Sequence, residues 1–181
     1  MKIEYIFTTI AFACIILMLF NRKVNVLKVF VEQLKVFKNN RTKKTSFLDI
    51  LSFIICPIVL SLIMVLWYEF YIDRELSQIL TTTFSLVFTL MLAFEAILVS
   101  KKDSTNVIEK EVISQTFISV VSSSILSLIG IILSVVIMFI TNCTAVNIIT
   151  ILVSVLSFMT VMLLLMIIKR TFMIFMNDSK K

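Results

Sequence analysis

A glutamine, four serines and a glycine share one helical face in an otherwise oily stretch of the chain. Gln115, Ser119, Ser123, Ser127, Gly130 and Ser134 follow one another at steps of four, four, four, three and four. That spacing keeps side chains on one stripe of a helix. Leu, Ile, Val and Phe fill most of the positions between them. Hydroxyls in such a stripe have two uses. Ser119, Ser123 and Ser127 form a small-xxx-small pattern that lets two helices approach closely. The same hydroxyls can line a water path, with Gly130 as a point of flexure. The spacing leaves both uses open.

Glu95 is the next residue with chemistry to offer. It sits inside an apolar run, about a turn and a half before Lys101. A carboxylate at mid-membrane costs roughly 2.5–3.5 kcal/mol on insertion scales and usually has a partner. One reading pairs it with Lys101, Lys102, Lys169 or Arg170. The other makes it a charge at the inner mouth of a pore, where it attracts cations.

An enzyme site finds little support. The chain has no His, no Gly-rich phosphate loop and no G-x-S-x-G. Asp49 and Glu95 are the acids within apolar runs, each near one end. Cys14, Cys56 and Cys143 are widely spaced, and read as small apolar side chains, not as disulfides or metal ligands. The reading is a non-enzyme with no metal and no cofactor.

The elements that carry these residues follow from composition. The chain has 181 residues, 60% of them hydrophobic and 15% charged, with one Gly and one Pro. A soluble domain is nearer 25% charged, and a transmembrane β-barrel needs many more turns. Several apolar runs approach or exceed the ~20 residues that cross a bilayer as a helix. The expected fold is all-α, a polytopic transmembrane helical bundle of four to five spans with a basic amphipathic interfacial helix.

Residues 1–46 hold a short apolar run, Tyr5 to Phe20, and a basic segment. With no A-x-A cleavage site and its positive charges after it, the run reads as an uncleaved first helix. It either crosses (five spans) or lies partly in the interface (four spans). Residues 21–46 carry eight basic residues against one acid, Glu32. Leu27, Phe30, Val31, Leu34 and Phe37 recur there at helical spacing, which suits an anionic membrane surface. Lys28, Lys35, Lys38, Arg41, Lys43 and Lys44 are candidates to receive a cytoplasmic signal. Their partner would be lipid, a cytoplasmic protein, or a nucleotide or nucleic acid. Few aromatic residues are placed to stack bases.

Residues 47–168 are the expected bundle. Phe47 to Tyr71 contains Pro57, which removes one helical hydrogen bond and should kink or loosen its turn, a second candidate flexure. Trp67, Tyr68 and Tyr71 form an interfacial aromatic belt at its far end, followed by the acidic hinge EFYIDRE. Leu76 to Ser100 is the third run, Val112 to Ile140 the serine-striped fourth, and Ile148 to Ile168 the last. The last run has a weaker hydroxyl stripe, Thr150, Ser154, Ser157 and Thr160. Residues 169–181 read as a cytoplasmic tail.

Segments 21–46, 101–111 and 169–181 hold all but two of the 17 Lys and Arg residues, the exceptions being Lys2 and Arg74. The positive-inside rule puts those segments, and the C-terminus, in the cytoplasm. No convincing internal repeat supports a transporter. A single copy has too few polar spans to enclose water, so conduction implies a homo-oligomer.

The order of parts carries a resemblance. A short N-terminal apolar helix and basic segment precede FLDILSFIICPIVL, SKKDSTN, the Ser-rich span and LLLMIIKRTFMIF. This arrangement resembles the small multi-span membrane subunits of bacterial anti-phage defence systems of the Hailong and Kiwa types. The resemblance implies a homo-oligomer, a tetramer, in the cell inner membrane. It implies a trigger through the cytoplasmic face, by a partner or a nucleic-acid signal, and depolarisation on infection. The expected function is therefore an oligomeric ion-channel-like effector. The alternative is a membrane anchor or sensor subunit that recruits a soluble partner.

Overall fold

A computed structural model describes residues 26–36, 50–100, 107–140 and 143–178. The first apolar run with Cys14, and Lys38, Arg41, Lys43, Lys44, Lys101 and Lys102, lie outside the described residues. Every described element is helical: α1 (Val26–Val36), a π-helical turn (Leu51–Ile55) running into α2 (Cys56–Leu66), α3 (Arg74–Ser100), α4 (Val107–Ile137) and α5 (Cys143–Asp178).

Three described helices are long and apolar enough to cross a membrane: Arg74–Ser100, Lys110–Ile137 and Thr144–Met173. These support a membrane protein. Leu51–Leu66 is equally oily but, at 16 residues, spans only about 24 Å. That is short of a ~30 Å hydrocarbon core.

Pro57 explains the break in this shorter piece. It lacks an N–H, and its ring crowds the carbonyl four residues back. The preceding Cys56 N–H reaches Leu51 O, five residues away, which is the π-helical pattern. The loosened turn expected at Pro57 is therefore a π turn, and the proline itself is buried. Beyond α2, Glu69 takes a left-handed φ of 49°, which turns the chain out of the helix. Asp73 then caps α3. Its Oδ1 accepts the Leu76 N–H at 2.8 Å, satisfying a donor left free at the helix start.

Helix α4 is the centre. Of its membrane-length window 56% is buried inside the protein, against 17% for α3 and 28% for α5. α3 and α5 pack on either side of it, α1 also leans on α4, and α2 rests on α5. α3 and α4 run antiparallel: Ser77 meets Ser134, Phe84 meets Gly130 and Glu95 meets Ser124. Two apolar clusters fill the seams. One joins Ile72, Phe84, Leu133, Ile137, Ile149 and Val153. The other, beyond Gly130 towards the opposite end, joins Met91, Leu98, Ile113, Val120 and Ile167.

Helix α5 does not stop at Ile168. It continues through Lys169, Arg170 and the apolar TFMIFM to Asp178. No Gly or Pro interrupts that stretch, so nothing in its covalent structure ends the hydrogen-bond ladder.

Candidate functional site

The serine face of α4 lies inside the bundle. Thr116, Ser119, Ser122, Ser123, Ser127 and Ser134 are each 0% exposed, and Ser124 is 5% exposed. Most of these hydroxyls turn their proton back to the helix. Ser119 donates to Gln115 O at 3.0 Å, Ser122 to Ile118 O at 2.8 Å and Ser127 to Ser123 O at 2.9 Å. This uses up each donor and leaves oxygen lone pairs facing the neighbouring helices. Ser123 and Ser134 are buried with no partner for Oγ. Gln115, one turn nearer the helix start, is half-buried, with its Nε2 3.3 Å from Glu111 Oε1.

Gly130 is not strained, for its φ lies outside the left-handed region. Its value is space. A Cβ added there would lie 2.8 Å from the Phe84 ring. The absent side chain thus lets a buried aromatic ring rest on the backbone of α4. This is a packing role, of which the sequence gives no sign; the sequence-based expectation for Gly130 is flexure.

Three helices each send one polar side chain to the serine turn 119–124. From α3, Glu95 Oε1 accepts the Ser124 hydroxyl at 2.8 Å. Ser124 Oγ also lies 3.1 Å from Val120 O, but the charged acceptor is the shorter and stronger one. From α5, Arg170 Nη1 donates to Ser119 Oγ at 3.4 Å. From α1, Gln33, 5% exposed, sets its Oε1 3.5 Å from Ser122 Oγ. Its Nε2 has no partner.

Glu95 therefore has a serine partner, and of the cations expected beside it Lys101 and Lys102 lie outside the described residues. Ser122, Ser124 and Gln33 are the residues that the sequence reading missed. The signal for two of them was present. Three consecutive serines, 122–124, are turned about 100° apart on a helix and so must face three directions.

A second polar stripe lies on the exposed side of α3. α3 buries Ser77, Phe84, Met91 and Leu98, spaced by seven. About 150° round the same helix, Gln78, Thr82, Ser85, Thr89, Ala93, Ala96 and Ser100 make a strip about 80° wide. All of them are exposed except Ser85, which is half-buried. Thr82, Ser85 and Thr89 donate to the carbonyls of Gln78, Thr81 and Ser85, at 3.0, 2.8 and 2.9 Å. Their oxygens are thus the polar atoms offered outwards.

α1 forms over part of the basic segment, but its orientation was not foreseen. Val26 and Gln33 face the bundle, while Leu27, Val31 and Leu34 are exposed. Lys28 and Lys35 are exposed too, with Lys35 paired to Glu32 at 2.7 Å. Cys56 is a free, exposed thiol. Among the described residues no group of three or more His, Cys, Asp and Glu is placed to hold a metal ion.

No protein-family model matches the chain, and no curated protein or solved structure is found to be similar to it.

Proposed function

We propose that the chain forms a homo-oligomeric, ion-conducting assembly in a membrane, with the outward stripe of α3 turned to the shared axis. The supporting observation is the position of that stripe. Hydroxyl, amide and small side chains occupy the one face of α3 that lies opposite its buried face. Against lipid such a face gains nothing, because its polar atoms are left without water. Against other copies it either packs closely or encloses water. Donors already bound to helix carbonyls leave oxygens directed to the axis, which suits a cation. The α4 serine face then serves as the internal seam that holds each copy together.

The positive-inside distribution supports a cytoplasmic C-terminus. The resemblance to anti-phage membrane subunits is what supports an inner-membrane tetramer that answers a cytoplasmic signal. Lys28 and Lys35, exposed on α1, would take part in receiving it, together with Lys38, Arg41, Lys43 and Lys44. Purified protein in liposomes should pass ions. Thr82→Phe and Thr89→Phe should each lower the current at least tenfold while the particle keeps its size. Wild-type currents in both variants would remove α3 from the path.

The second reading, an anchor or sensor subunit, draws on the same exposed cations of α1. It predicts no current under any condition. It also predicts that reversing the charge at Lys28 and Lys35 abolishes capture of a soluble partner.

A further inference from the structure

Between α1, the π-helical turn, α4 and α5 the surface opens into a groove of about 190 Å³. Its walls are almost wholly apolar: Phe30, Leu34, Phe53, Leu126, Met159 and Leu163 are among them. Two polar side chains break the lining, Gln33 and Ser122. Gln33 is the unusual one. It is 5% exposed, its Oε1 is at the limit of reach of Ser122, and its Nε2 has no acceptor. A buried amide donor without a partner is unfavourable, because nothing repays the hydration it loses. A leucine at that position would avoid the loss. The arrangement asks for an acceptor from outside the chain.

We propose that this groove binds one phospholipid, with a length of acyl chain along the apolar walls and an ester carbonyl accepting from Gln33 Nε2. Four observations choose this occupant. An apolar cavity of about 150 Å³ already holds a benzene-sized molecule, so the volume suits a stretch of chain. The groove is flanked by α4 and α5, the helices apolar enough to lie in a bilayer. α1 shows Leu27, Val31 and Leu34 on one side and Lys28 and Lys35 on another. That division fits the headgroup boundary, the depth at which lipid esters sit. Arg170, reaching Ser119 one turn from Ser122, marks the same level. The proposal needs the membrane setting and does not depend on conduction or on an oligomer.

The test uses full-length protein reconstituted in vesicles of phosphatidylethanolamine and phosphatidylglycerol. A photoreactive benzophenone side chain replaces Phe53, in the groove, or Leu90, on the open apolar face of α3. After extraction and exhaustive washing in detergent, the protein is illuminated and weighed intact. The expected result is an adduct of one phospholipid mass from the Phe53 site and none from Leu90. In the Phe53 background, Gln33→Leu should lower the adduct about threefold to tenfold, the loss of one hydrogen bond.

Equal adducts at both sites would mean only bulk lipid and would overturn the proposal. So would a cross-linked dimer from the Phe53 site, which makes the occupant a second copy. An internal cross-link to residues 1–25 would assign the groove to this chain's own segment, with the same effect. An adduct unchanged by Gln33→Leu would leave the groove without its polar anchor and refute the proposed contact.

Discussion

Two stripes of hydroxyl and small residues run along neighbouring helices and meet opposite fates. On α4, Ser119, Ser123, Ser127, Gly130 and Ser134 are buried against α3 and α5. On α3, Gln78, Thr82, Thr89, Ala93, Ala96 and Ser100 face away from the bundle. Both stripes have helical spacing, and in each some hydroxyls, Ser119 and Ser127 on α4 and Thr82 and Thr89 on α3, return their protons to carbonyls of their own helix. The difference lies in what the small side chains admit. On α4 they let the Phe84 ring and the Arg170 guanidinium come close. On α3 they leave a polar surface that is exposed among the described residues. A small-residue stripe thus marks a place of close approach without saying whether the visitor belongs to the same chain.

The comparison breaks most sharply at Gly130. Gly130→Leu should leave no folded species, because the ring of Phe84 occupies that space. Gly130→Ala should lower stability in detergent by about 1–3 kcal/mol, the usual penalty of overpacking. Denaturant titration of the purified protein checks both. If Gly130→Ala unfolds like wild type, α3 and α4 are not in the contact described.

Next come the serines themselves. Ser123→Leu should cost about 1–3 kcal/mol, because a fully buried site must take a larger side chain. Thr89→Leu on the exposed stripe should stay within about 0.5 kcal/mol of wild type. The pair is informative in both directions. Equal destabilisation would erase the inside–outside distinction between the stripes.

Smaller effects sharpen the polar turn. Ser124→Ala removes the donor that Glu95 accepts at 2.8 Å, and should cost about 1.5 kcal/mol. In the Glu95→Gln background the same change should cost less, because a neutral acceptor gains less from that bond. Asp73→Ala removes the cap of α3 and should cost about 1 kcal/mol, read as a lower thermal midpoint with the helix content kept.

Much of the site was legible at the level of single residues and little at the level of pairs. The stripe on α4 could be read from spacing, and so could the odd position of Glu95. The partner of Glu95 could not. Spacing along one helix does not give the antiparallel register of α3 and α4, and it is that register that brings Ser124 to the carboxylate. Gln33 was one polar residue among many in a basic segment. Only the lean of α1 on α4 turns it inwards.

The sequence by itself determined that the chain holds long apolar helices of membrane-crossing length and the phase of the serine stripe on α4, because a 3.6-residue period and a long apolar run leave few alternatives. It also determined that Pro57 would disturb its helix, for the missing N–H is a covalent fact. Tertiary structure alone decided which stripe faces in. In a chain this oily, a lipid tail and a leucine side chain are about equally apolar, so hydrophobicity does not choose the buried face. Shape makes the choice: the space at Gly130 that Phe84 fills, and the serine turn that receives Glu95, Arg170 and Gln33.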